Sequence, residues 1–197
     1  IEALAHTETE ALFLSAFFSE PAFRWMEKLE NVKDVKLVVR ASPDDVIFGA
    51  CDLAAIRRGL HIGWQIRFMA SLHAKVYLFG NHIVIGSGNL TANGLALHGT
   101  GNLELNTIIR ATPEATDLLN GIFDQAQAFD IDLLDRMEAY LDSQPQNKNY
   151  MGWWPKNVVP PVIRSLYCND LPVQDHFSLS KYENEPWNSI QQQISER

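Results

Sequence analysis

The sequence predicts a mixed α/β fold: a mainly parallel β-sheet flanked by helices. Three observations predict it. Apolar strand-like runs alternate with helix-like stretches from Ala11 to Met69, the order that gives parallel strands joined by crossover helices. Two further runs, 71–80 and 83–91, flank Gly80 and Asn81 and read as an antiparallel hairpin. The composition, 46% hydrophobic and 20% charged over 197 residues, supplies the apolar mass for a sizeable core.

Residues 1–10 are polar and acidic, a helical lead-in or a frayed end. Residues 11–18 are continuously apolar and predict a strand buried on both faces. Ser19, Glu20 and Pro21 then start a helix, with Phe23, Met26 and Leu29 on its core face. Residues 35–40 predict the second strand, which ends at Arg40. Ser42, Pro43, Asp44 and Asp45 form a capping box for a helix from Pro43 to about Arg58. That helix is expected to bury Val46, Ile47, Ala50, Leu53 and Ala54, with Cys51 as a small core residue, and to stop at Gly59. Residues 64–69 predict a third strand.

The hairpin carries the chemistry. Side chains alternate faces along a strand, so His73, Lys75 and Tyr77 are expected on one face and Leu72, Ala74, Val76 and Leu78 on the other. On the second strand Ser87 and Asn89 share a face, while Gly86 and Gly88 let a ligand approach the backbone. A base or nucleophile, a cation, a hydroxyl and an amide would converge on one small anion, which suits a phosphate ester. The 91–101 stretch, rich in Gly and Asn, reads as a loop beside the site, with His98 a candidate substrate contact. Residues 103–110 predict a strand with Glu104 and Asn106 on one face and Leu103 and Leu105 on the other.

Thr112, Pro113 and Glu114 cap another helix with Leu118, Leu119, Ile122 and Phe123 as its core stripe. An acidic amphipathic helix follows over residues 130–141. Composition then changes. Residues 143–197 hold six of the nine Pro and three of the five Trp, so a domain over 1–142 and an irregular aromatic- and Pro-rich extension over 143–197 are expected. Trp153 and Trp154 are expected to pack that extension onto the core; stacking on bases is the other use of such a pair.

His73-x-Lys75 followed by Gly86-Ser87-Gly88-Asn89 resembles the HxK…GSxN signature of the phospholipase D superfamily. The resemblance covers about residues 12–130. It departs where the family's Asp, five residues after the Lys, is replaced by Gly80, and the Lys75 to Gly86 gap is one residue short. Both changes fall in the turn. The resemblance implies a phospholipase D-like fold, His73 as nucleophile, and Lys75, Ser87 and Asn89 around the phosphate. It implies that Glu104 orients the His73 ring. Asn106, Arg40 and His98 are the further substrate-contact candidates. With one HxK motif per chain, likeness to the single-motif nucleases implies a homodimer with a composite active site and a phosphohistidine intermediate.

Net charge is −8 and the pI about 5.2. Chains that bind nucleic acid over a broad surface are usually basic, so a polyanion must be held in a local cleft or by another domain or subunit. A separate DNA-recognition subunit fits that constraint. No carboxylate cluster or Cys/His set accompanies the motif, so no metal and no cofactor are expected. Two distant cysteines, Cys51 and Cys168, suit a reducing cytoplasm. No run of about 18 apolar residues is present, so no membrane span is expected.

The expected function is metal-independent cleavage of nucleic acid, with DNA favoured, as an endonuclease of a restriction or phage-defence system. Two rivals are a lipid phosphodiesterase or phosphatidyltransferase, and an inactive binding module that keeps the fold.

Overall fold

The computed structural model describes residues 2–5, 7–99, 101–144 and 153–159, within a compact unit that spans Ile1–Arg164. Its elements run α1 (Glu2–Ala5), β1 (Glu10–Ser15), α2 (Glu20–Glu27), β2 (Asp34–Val39), α3 (Pro43–Ile47), α4 (Leu53–His61), β3 (Gln65–Phe68), β4 (Lys75–Phe79), β5 (His82–Gly86), β6 (Asn106–Arg110), α5 (Pro113–Gln125), β7 (Gln127–Ala128) and α6 (Ile131–Ser143).

The strands form one seven-stranded sheet in the order β6-β5-β4-β1-β2-β3-β7. The α/β class, the flanking helices, the parallel pairing of the first three strands and the antiparallel hairpin are as expected; the sheet as a whole is mostly antiparallel, not mainly parallel. β1, β2 and β3 pair in parallel. The β1–β4, β4–β5, β5–β6 and β3–β7 pairs are antiparallel and outnumber them. The parallel block follows from the crossovers through α2 and through α3 and α4. The antiparallel pairs join strands distant along the chain, except β4–β5, whose short turn cannot return a chain for parallel pairing. Across the tightest of these Phe79 pairs with His82, and Gly80 takes φ 49° in the turn.

The continuous apolar run of β1 is buried on both faces. Phe13 points into a core with Phe23, Met26, Ile56, Leu134 and Met137, from α2, α4 and α6. Leu12 and Leu14 face a second core with Leu119 and Phe123 of α5. Phe13 also meets Tyr77 and Phe79 at ring-centroid distances of 5.6 and 5.4 Å.

Four local expectations are corrected. The helix expected over residues 43–58 is two helices. Gly49, at φ 72°, ends the first, and Asp52 caps the second by accepting from Ala55 N at 3.0 Å. In consequence Ile47 is exposed, as is Ala54, while Cys51 and Leu53 are buried. Gly59 does not stop its helix. It lies within α4 because a Cβ there would come 2.6 Å from Ile66 Cδ1; the chain turns at Gly63, φ 90°. Leu118 stands 56% exposed on the outer side of α5. The strand expected from Leu103 begins only at Asn106, which puts Glu104 in a loop.

Trp154 is buried, donates its indole N–H to Ala41 O at 2.7 Å and packs on Tyr140, so this tryptophan serves packing. Trp153 is near Phe68, with centroids 6.2 Å apart. Residues 145–152 and 160–197, most of the expected extension, lie outside the described residues.

Candidate active site

The site sits at one end of the sheet, where the carboxyl ends of β1, β2 and β5 meet the amino ends of β4 and β6. Register fixes this: Ser15 pairs with Lys75, and Gly86 with Asn106. His73 precedes β4, and Ser87 and Asn89 follow β5, so three of the four motif side chains stand on loops, not on strands. Lys75 is the first residue of its strand.

His73 is exposed. Lys75 Nζ lies 3.5 Å from each of its ring nitrogens and donates to the His73 carbonyl at 2.8 Å. The imidazole and ammonium therefore present themselves together at the mouth of the site. Burial, and then the nearby positive charge of Arg40, push the Lys75 ammonium pKa below its usual 10.5; the Glu104 carboxylate acts in the opposite direction.

Asn89 is held from within, its Oδ1 accepting from Phe17 N at 3.4 Å. The loop carrying it is packed tightly. A Cβ at Gly88 would lie 2.6 Å from Gly94 O, and one at Gly94 would lie 2.3 Å from Asn89 O. Tyr77 is buried and donates its hydroxyl to Gly88 O at 2.5 Å. Ser15, fully buried, accepts from Leu90 N at 2.9 Å and donates to Phe17 O at 2.7 Å. These contacts hold the 86–91 loop to β1 and β4.

Glu104 was expected to hold the His73 ring. Its carboxylate instead accepts from Ser87 Oγ and, at 3.1 Å, from Asn102 Nδ2, and among the described residues it makes no hydrogen bond to His73. Ser87 Oγ also accepts from Leu105 N at 3.1 Å. The acidic residue thus fixes the serine hydroxyl.

Arg40 follows β2 at the same sheet end. Its guanidinium makes two bonds to Asp45, one from Nε at 2.8 Å, and lies 5.0 Å from the Phe17 ring centroid. Asp45 is 6% exposed. Burial opposes its charge, but hydrogen bonds from Arg40 and Ser42 outweigh it and hold the carboxyl below its ordinary range. Ala41, next in the chain, is buried with φ 50°, a conformation disfavoured for a side-chain-bearing residue. Asn106 begins β6 beside Gly86, and His98 is exposed in the 91–101 loop. Thus His73 and Lys75 are brought together, as are Ser87 and Glu104; His98 has no hydrogen bond to any of them among the described residues.

Sequence reasoning missed Asp45, Ser15, Phe17 and Tyr77 as supports of the site. Asp45 had a signal in its capping box, which pointed to a helix end, and Tyr77 had one in the strand face it shares with His73 and Lys75. Among the described residues no three His, Cys, Asp or Glu side chains gather as a metal-ligand set. No helix among them is long and apolar enough to cross a membrane.

Residues 1–127 match the family model described as "Cardiolipin synthase, PLD-like domain". No curated protein matches the chain. Among solved structures it is similar to NucT from Helicobacter pylori, at 11% identity and a TM-score of 0.42, over 65% of this chain and 87% of that one. It is also similar to the archaeal chromatin protein TrmBL2, whose structure is described as showing a novel mode of DNA binding. The identity is 13% and the TM-score 0.43, over 65% of this chain and 48% of that one. The family match, which runs from β1 through α5 and carries His73, Lys75, Ser87 and Asn89, establishes that the chain belongs to the PLD-like domain family of the phospholipase D superfamily.

Proposed function

We propose that the chain is a metal-independent phosphodiesterase that cleaves nucleic acid, DNA in preference, as an endonuclease of a restriction or phage-defence system. The observation that carries the reading is the exposed His73 ring with the Lys75 ammonium 3.5 Å from both its nitrogens. A phosphodiester is anionic and resists attack. Lys75, Ser87 and Asn89 would neutralise and orient its nonbridging oxygens, and Arg40 would add charge at the same sheet end.

In the first step a His73 ring nitrogen attacks phosphorus, a P–N bond forms, and the P–O bond to the leaving alcohol breaks. The departing oxygen takes a proton from a general acid. In the second step that group, now a base, takes a proton from water; the hydroxide attacks phosphorus and the P–N bond breaks. One chain presents one HxK motif, so His73 of the partner subunit supplies the acid in a homodimer whose two-fold axis passes through the site. The edge strand supports that assembly. Leu105, Ile108 and Ile109 are 78%, 56% and 43% exposed, and they continue directly from Glu104. A bare apolar sheet edge invites pairing.

A second reading, phosphatidyl transfer, is favoured by the cardiolipin synthase description of the matching family. One experiment separates the readings: wild type and His73→Ala are incubated with DNA, RNA and phosphatidylglycerol vesicles, each with excess EDTA. The proposal expects DNA cleavage that survives EDTA and is lost in His73→Ala. Turnover of lipid alone supports the second reading. Chelation that abolishes cleavage, with recovery on adding magnesium, refutes the metal-independent mechanism. Mixed dimers of wild type and His73→Ala that turn over at the full rate per intact subunit refute the shared His.

A further inference from the structure

Beside the reacting groups lies an open cleft of about 610 Å³. It is bounded by the 94–97 turn, by residues 102–106 and by Trp25 of α2. Trp25, Leu95, Leu97 and Leu103 give it apolar walls, and the carboxamides of Asn102 and Asn106 stand among them. Glu104 belongs to both places: one carboxylate oxygen takes the Ser87 hydroxyl, and the other takes the Asn102 amide within the cleft wall. The cleft therefore opens from the position of the scissile phosphate, not from a remote surface.

Its chemistry is wrong for a phosphate track. Among the described residues no lysine or arginine lines it, Glu104 does, and the whole chain carries −8. Its size falls in the range of about 300–1,000 Å³ typical of small-molecule sites. An indole, three leucines and two amides suit a flat heteroaromatic group with donors and acceptors on its edge. In nucleic acid that group is a base, and a base leaves the stack for a side cleft at least cost when it is already unpaired. We propose that this cleft seats one unpaired base next to the scissile phosphate, so that the preferred substrate is single-stranded nucleic acid. For an acidic chain, stacking supplies the affinity that an extended basic surface would supply for a duplex.

The inference rests on the phosphodiesterase reading, and the test keeps the two apart. Binding is measured on the full chain carrying His73→Ala, by fluorescence anisotropy, with a labelled ten-nucleotide single strand, the same strand with its central bases replaced by abasic sites, and the matching duplex. The intact single strand should bind about tenfold more tightly than either of the others. Adding Trp25→Ala, or Leu103→Ser at a side chain 95% exposed, should remove most of that advantage. Leu118→Ser, on the outer side of α5, is the control. The cleft assignment is overturned if the abasic strand or the duplex binds as tightly as the intact strand. It is also overturned if Leu103→Ser and a folded Trp25→Ala leave the preference intact. Hydrolysis of methyl p-nitrophenyl phosphate by the wild type tests the catalytic reading separately, because that substrate has no base. Failure there with a retained base preference removes the enzyme and keeps the subsite.

Discussion

Gly94→Ala should disable the site although no motif residue is substituted. A Cβ at Gly94 would lie 2.3 Å from Asn89 O and 2.7 Å from Asn89 N, against 3.4 Å for an ordinary close contact. The two backbones must part by about 1.1 Å, the difference between 3.4 and 2.3 Å. Both opposing atoms are main chain, so no side-chain rotation relieves the clash. Asn89 is tethered on its other side to Phe17 N, and moving its backbone breaks that bond or drags its amide from the phosphate. A misplacement of about 1 Å costs on the order of 10²-fold in rate. Overpacking also destabilises by about 1–3 kcal/mol, which lowers Tm by roughly 2–4 °C per kcal/mol in a chain of this size. The assay is kcat/KM for phosphodiester hydrolysis at a temperature well below both melting transitions. A variant that keeps kcat/KM within about threefold of wild type would refute the argument that this packing positions Asn89. If Asn89→Ala is equally active, the role of Asn89 itself falls.

Other perturbations have signs that the contacts dictate. The lowered Lys75 pKa should give an alkaline limb in the pH–rate profile below pH 10.5. Arg40→Ala, which removes a like charge, should move that limb up, and Glu104→Gln, which removes an opposite charge, should move it down; a limb that moves in neither variant is not Lys75. Asp45→Asn breaks charge-assisted bonds to Arg40 at a nearly buried group and should cost about 1.5–3 kcal/mol at pH 7 by urea titration. Because the folded pKa of Asp45 is depressed, that stability is present above the unfolded value and lost as pH falls through the folded one. The gap between wild type and Asp45→Asn should therefore close on acidification below about pH 4. Gly121→Ala, within α5 and with no atom within 4 Å of the added methyl, should stabilise by about 1 kcal/mol, seen as a rise in Tm.

What the sequence made legible was whatever is encoded locally. The apolar run of β1, the Thr112 cap of α5 and the two-residue turn after Phe79 each follow from neighbours along the chain. Ser42 and Asp45 were readable as a capping box for the same reason. What could not be read came from contacts distant in sequence. Gly59 looks like a helix stop until Ile66 and Trp64 are seen against it. Glu104 looks like a partner for His73 while it is assumed to lie on a strand. Once β6 begins at Asn106, the loop turns the carboxylate to Ser87. Arg40 looks like a free cation at a strand end until the α3 cap brings Asp45 to its guanidinium. The parallel β1–β2–β3 block and the β4–β5 hairpin were legible, but the balance of the sheet was not, because periodicity reports which face is buried, not which neighbour a strand chooses.

The electrostatics explain why this sheet end suits an anion. An acidic chain places Lys75 where burial and the Arg40 charge both work against its ammonium. Were stability alone at issue, a carboxylate would neutralise the pair directly. Asp45 is instead bonded to Arg40 from the α3 side, and Glu104 is engaged by Ser87 and Asn102, leaving Lys75 with the His73 carbonyl as its short contact. Glu104 lends charge to Lys75 at a distance while its oxygens are occupied, and Asp45 is paired directly with Arg40. The Lys75 ammonium is therefore fixed in position, close to a second cation and short of a full counter-charge. A phosphodiester between Lys75 and Ser87 would supply that charge, and the attraction is strongest when phosphorus gains a fifth oxygen or nitrogen and negative charge builds on its equatorial oxygens. On the proposed phosphodiesterase reading, the uncompensated charge of Lys75 would be met most fully at the transition state, the condition under which binding energy raises kcat and not only affinity.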